Sequence, residues 1–97
     1  MSVTENLPSR PDPGAEVAAQ VRAFVLSNFY VTEPEAFGNG DSLLARGVVD
    51  STGFLQIISF LEVTFGIAID DRELVPDNFD SVEKIAAFAT RKLAAAK

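Results

Sequence analysis

The segment DSTGFLQIISFLEVTFG, Asp50 to Gly66, constrains the architecture of this chain more than any other stretch. Phe54, Ile57, Ile58, Leu61 and Phe65 recur at steps of three and four, which lays one apolar stripe along a helix. Asp and Ser at its start are helix-capping types, and Gly66 at its end suits the left-handed backbone just past a helix. The spacing predicts a helix from about Ser51 to Phe65, with its stripe turned toward other elements.

Those elements read as helices too. Val17, Val21, Phe24 and Val25 give a stripe to a helix from Ala15 to about Tyr30. Val82, Ile85, Phe88, Ala89 and Leu93 give one to a last helix starting near Ser81. Asp80 is its expected N-cap, with Glu83 completing a capping box. Arg91, Lys92 and Lys97 fall near its C-terminal end, where positive charge is favourable. Residues 31 to about 49 lack periodicity and are punctuated by Pro34, Gly38, Gly40 and Gly47. So long a loop is functional or packed down by its own side chains, with Phe37, Leu43, Leu44 and Val48 as anchors. The run IAIDD reads as extended loop, because no second strand is there to pair with it. Arg72–Val75 forms at most a short turn of helix, ended by Pro76. Residues 1–14, with three prolines, read as a mobile tail, leaving 15–97 as the folded domain. The expected fold is all-α: a four-helix bundle of three main helices and one short one, with a long first loop.

Composition narrows the chemistry. A chain of 97 residues holds one domain, and a hydrophobic content of 47% suits a folded one. No apolar run is long enough to span a bilayer, and no charged start followed by an apolar stretch suggests a signal peptide; the cytoplasm is the expected address. The net charge of −6 repels nucleic acid and favours basic protein partners. There is no Cys and no His, which removes disulfides, thiolate catalysis, His-dependent metal sites and the usual base for activating a serine. No serine sits in G-x-S-x-G, so a serine hydrolase is remote. A non-enzymatic monomer is expected.

The chain has three Asp-Ser pairs that invite comparison: Asp41-Ser42 (which begins the tripeptide DSL), Asp50-Ser51 and Asp80-Ser81. Ser42 reads as a turn residue and Ser81 as part of a helix start. Ser51 opens the central helix after a Gly-containing loop, where unpaired backbone N–H groups and the positive dipole end favour a phosphate. Ser51 and Thr52 should face solvent, since the buried stripe begins at Phe54, and Gly53 leaves little bulk beside them. On capping chemistry alone, Asp50 and Ser51 read first as an ordinary helix cap, because Asp and Ser are common there.

The segment Leu43–Ile69, LLARGVVDSTGFLQIISFLEVTFGIAI, resembles the acyl carrier and peptidyl carrier protein family. The resemblance lies in Gly47, an apolar step Val48-Val49, Asp50-Ser51 opening the second helix, and Phe65-Gly66-Ile67 closing it. The run DDRELVPDNFDSVEKIAAFA is similar to the family's short third helix, connecting loop and fourth helix, so the likeness covers about residues 15–95. It implies a four-helix bundle carrying a 4′-phosphopantetheine arm on Ser51, moved there from coenzyme A by a phosphopantetheinyl transferase with Mg²⁺ in its own site. The arm ends in a thiol that holds acyl or aminoacyl groups as thioesters, which accounts for a thioester handler without cysteine. Asp50 would position the helix start or contact the transferase, and Thr52 would flank the attachment point. The implied partners are an acyl- or aminoacyl-activating ligase and downstream acyl-transfer enzymes of fatty acid, polyketide or nonribosomal peptide biosynthesis.

The sequence departs from the commonest pattern of that family. Thr52 and Gly53 stand where Leu usually follows the serine, which looks more like stand-alone carriers served by separate adenylating ligases. The outer face of the second helix offers Leu55, Gln56, Ser59, Glu62 and Val63, with Glu62 its only acid, so a more apolar partner surface is expected. Leu55 and Val63 are the candidate contacts, unless they merely pack at the edge of the core. Phe54, Ile58 and Phe60 make the interior bulky, which points to a small cargo held outside. The alternative is a small acidic helical interaction module without a prosthetic group, in which Leu55 and Val63 meet a partner helix.

Overall fold

The computed structural model describes residues 13–95. Among the described residues four α-helices follow in order, α1 (Pro13–Asn28), α2 (Ser51–Phe65), α3 (Pro76–Phe79) and α4 (Val82–Ala95), with 3-10 turns at Pro34–Ala36 and Asp71–Glu73. No strand occurs among the described residues, and the fold is an all-α small bundle. None of these helices is long and apolar enough to cross a membrane. The expected tail lies outside the described residues except for Pro13 and Gly14, which are the first residues of α1. Proline's fixed φ suits that first turn, so the folded part begins two residues before Ala15. Lys97 also lies outside the described residues.

The core follows from side-chain size. Val17, Val21 and Val25, each four residues on, form the buried stripe of α1. They meet Val82, Ile85, Ala86 and Ala89 of α4, and these small side chains let α1 and α4 form the closest helix pair. The helix α2 stands further off. Ile57 and Leu61 are fully buried, and longer aromatic side chains fill the remaining gap. Phe60 stacks on Phe24 with centroids 4.2 Å apart, while Phe29 and Phe65 meet this pair edge-on at 6.0 Å. Phe54, Ile58 and Phe65 are only partly buried, so the inward stripe of α2 is narrower than its periodicity suggests.

The long connection is packed down by its own residues. Phe37, Leu43 and Val48 are buried as expected, and so are Val31 and Val49. Leu44, an expected anchor, is exposed instead; its backbone N–H donates to Asp80 Oδ1 at 3.0 Å, which fixes the turn with the side chain outward. Arg22 reaches from α1 to Asn39 Oδ1 at 2.9 Å and the Pro34 carbonyl at 3.0 Å, lying over the Phe37 ring. Arg46 covers the same ring and pairs with Asp41 at 3.0 Å.

Asp80 is not the cap of the last helix. Its carboxylate accepts the Ser42 hydroxyl at 2.7 Å as well as the Leu44 N–H, and its carbonyl accepts the Leu43 N–H at 2.8 Å. Ser81 is the cap: its hydroxyl accepts the Lys84 N–H at 3.0 Å, and its carbonyl accepts that of Ile85. The Glu83 N–H goes to the Asn39 carbonyl, so no capping box forms there. Pro76 likewise opens a helix, α3, where it was expected to end one, because a missing N–H costs nothing at a first position.

A capping box forms at Asp70–Glu73 instead, and it is tied to α4. The Glu73 carboxylate accepts the Asp70 N–H at 2.9 Å and pairs with Lys92 Nζ at 3.0 Å. The backbone donor of Asp70, and then Lys92, hold the Glu73 carboxyl below its ordinary value. A lowered folded value means stability that is present above the unfolded glutamate pKa and lost as pH falls through the folded one. Glu73→Gln is therefore expected to lower stability at neutral pH and to flatten the acid limb of the stability profile, as read by urea unfolding at neutral and acid pH.

Candidate functional site

The start of α2 is built by its own sequence. Asp50 is the N-cap: its backbone is extended, its Oδ1 accepts the Gly53 N–H at 2.9 Å, and its carbonyl accepts the Phe54 N–H at 2.9 Å. At the other end Gly66 takes φ of 67° and donates its N–H to the Glu62 carbonyl, as the sequence predicts. Ser51 and Thr52 occupy the first turn and are exposed. The Ser51 hydroxyl makes no hydrogen bond among the described residues, since Asp50 already serves the cap.

Gly53 has a different role from the one its neighbours suggested. It is buried, and a Cβ there would lie 3.0 Å from both Phe29 Cε1 and Val49 Cβ. The missing side chain lets the first turn of α2 seat on the end of α1 and on the loop. Gly53→Ala sets overpacking of about 1–3 kcal/mol against the roughly 1 kcal/mol that Ala gains over Gly within a helix, so a net loss of about 1 kcal/mol is expected by urea or thermal unfolding.

Beside Ser51 lies an apolar cleft of about 240 Å³. One wall is Phe54, Leu55 and Ile58 of α2; the other is Leu74, Val75 and Pro76, with Phe79 of α3 beneath. Ser51 stands on its rim. Phe54 and Ile58, read as interior bulk, thus line open space next to the serine, while Phe60 turns to Phe24. The loop wall was not foreseen, because no periodicity marks Leu74 and Val75 as partners of α2.

The expected partner-binding residues divide between two places. Leu55 is 63% exposed and belongs to the Ser51 cleft. Val63 is 81% exposed and, with Gln56 and Ser59, borders a wider groove against Phe24 and Asn28 of α1. Edge-of-core packing accounts for neither Leu55 nor Val63. Glu62 is exposed and partly engaged, accepting the Ile69 N–H at 3.2 Å.

The other two pairs are structurally committed. The Ser42 hydroxyl donates to Asp80 and accepts the Ala45 N–H at 3.0 Å. Ser81 is 3% exposed and caps α4. Ser81 and Lys84 have the S-x-x-K spacing of some serine acylases, but the hydroxyl bonds the Lys84 backbone N–H and is buried, closed to a substrate. No family model matches the chain, and no curated protein matches it.

Proposed function

We propose that this chain is a carrier protein that takes a 4′-phosphopantetheine arm on Ser51 and holds an acyl or aminoacyl group on it as a thioester. The observation that carries this reading is the contrast among the three hydroxyls. Ser42 and Ser81 are used in the fold, whereas Ser51 is exposed, free of structural hydrogen bonds and placed at the N-terminus of a 15-residue helix. The positive end of that helix favours the phosphodiester charge and offsets its repulsion from Asp50. In this reading the serine oxygen displaces adenosine bisphosphate from the coenzyme A pyrophosphate, and the hydroxyl proton leaves to a base in the transferase. Ser51 is an attachment point, so the chain itself is not an enzyme.

The arm would bring the thiol that the sequence lacks. The Ser51 cleft would shelter a short apolar portion of arm or cargo, while longer groups stay outside. Asp50, Thr52, Leu55 and the face bearing Gln56, Ser59, Glu62 and Val63 would meet the transferase, the activating ligase and acyl-transfer enzymes in turn. The setting that suits these partners is a monomer in the cytoplasm. The exposure of Leu55 and Val63 equally favours the second reading, an interaction module with no arm.

The absence of cysteine makes the test clean. After incubation with coenzyme A, Mg²⁺ and a broad-specificity phosphopantetheinyl transferase, then removal of free coenzyme A, a thiol reagent should titrate one thiol per chain. A folded chain that stays without a titratable thiol after several transferases would favour the interaction module.

A further inference from the structure

The two walls of the Ser51 cleft differ in what holds them. Phe54, Leu55 and Ile58 belong to α2 and are fixed by its backbone. Leu74 and Val75 lie outside any helix and are exposed, so burial holds that wall weakly. The neighbouring Glu73 supplies the anchorage. Its carboxylate accepts the Asp70 N–H and is gripped by Lys92 Nζ at 3.0 and 3.2 Å, while its carbonyl accepts the Asn78 side-chain amide at 2.9 Å.

Lys92 is the one tie in this set that comes from α4. The two side chains of the Lys92–Glu73 pair are only 27% and 30% exposed, so solvent screens them incompletely. The other ion pair on this segment, Arg72–Asp70 at 3.4 Å, is exposed on both sides and contributes little. Lys92 also lies 5.9 Å over the Phe88 ring, Phe88 packs on Phe79 at 5.0 Å, and Phe79 lies under the cleft. One cation in the last helix thus supports both the loop wall and the ring beneath it.

We infer that the Lys92–Glu73 pair is a latch that holds the Leu74–Pro76 wall against α4 and sets how readily an apolar group enters the cleft beside Ser51. The inference rests on the carrier reading for the identity of the occupant, and not for the mechanics of the wall. Lys92 is a positioning residue that acts on the cleft through Glu73.

The test uses the full chain without any arm, so its failure is distinct from failure to load Ser51. Lys92→Met keeps the apolar stem and removes the charge; Lys92→Arg keeps the charge. Amide exchange by NMR and binding of the neutral dye N-phenylnaphthylamine are compared across the three chains, with Leu55→Glu, charged at the mouth, giving the dye background outside the cleft. Lys92→Met is expected to speed exchange of the Asp70 and Leu74 amides about five-fold and tighten dye binding by a similar factor, the scale of one partly shielded ion pair. Exchange at Val21 and Ile85 should stay within about two-fold of the parent, and Lys92→Arg should restore both readouts. Unchanged loop exchange, a rise shared equally by Val21 and Ile85, or faster loop exchange with unchanged dye binding would each overturn the latch.

Discussion

Ser51→Ala is expected to abolish transfer of the phosphopantetheine arm while leaving unfolding free energy within about 0.5 kcal/mol of the parent. The hydroxyl is exposed and makes no structural bond, and Asp50 still caps α2 through the Gly53 N–H. The other two pairs should behave in the opposite way. Ser42→Ala removes the donor to Asp80 and the acceptor for Ala45, and is expected to cost about 1–2 kcal/mol. Ser81→Ala removes the cap of α4 and should cost about 1 kcal/mol. Both variants should still load fully wherever they remain folded. Urea unfolding read beside intact mass separates the three serines; loading lost in Ser42→Ala with Ser51 intact and the chain folded would count against the assignment.

Phe88→Ala carries the largest expected stability loss, about 3–5 kcal/mol. The ring is 2% exposed, packs on Phe79 at 5.0 Å, and lies under Arg91 and Lys92. Truncation would leave a cavity between α3 and α4 and free Phe79 to sink from beneath the Ser51 cleft. A domain of this size has about 5–10 kcal/mol in total, so the variant should lose roughly half of its stability and unfold at a markedly lower temperature. Thermal unfolding by circular dichroism reads this directly, and a loss below about 1 kcal/mol would mean that the α3–α4 contact is not part of the central core.

What was legible in the sequence was what local chemistry decides. Both ends of α2 follow from Asp50 and Gly66, whose capping roles need only neighbouring backbone groups. The valines of α1 and the stripe of α4 follow from periodicity. What local chemistry does not decide depends on distant partners. Asp80 and Ser81 are both good caps, and only the approach of the 42–44 turn gives Asp80 to the loop and leaves the helix to Ser81. An aperiodic loop gives no sign of which side chain turns inward, so the sequence marks Leu44 as an anchor where the structure exposes it. Gly53 reads in the sequence as clearance beside an exposed site, yet its missing Cβ matters on the buried side, where Phe29 and Val49 approach to 3.0 Å. The cleft is not legible in the sequence because its loop wall, Leu74 to Pro76, meets α2 only in three dimensions. Position at a helix start did not by itself single out Ser51, because Asp-Ser there is also an ordinary cap; the surrounding frame from Gly47 to Ile67 did, and the bonds that occupy the Ser42 and Ser81 hydroxyls are visible only in the structure.

The most direct test of the central claim is intact mass followed by fragment mapping, on the parent chain treated with coenzyme A, Mg²⁺ and a broad-specificity transferase. The account predicts a gain of one phosphopantetheine, with the added mass confined to the fragment containing Ser51. No gain on a folded chain, or an arm found on Ser42 or Ser81, would contradict it.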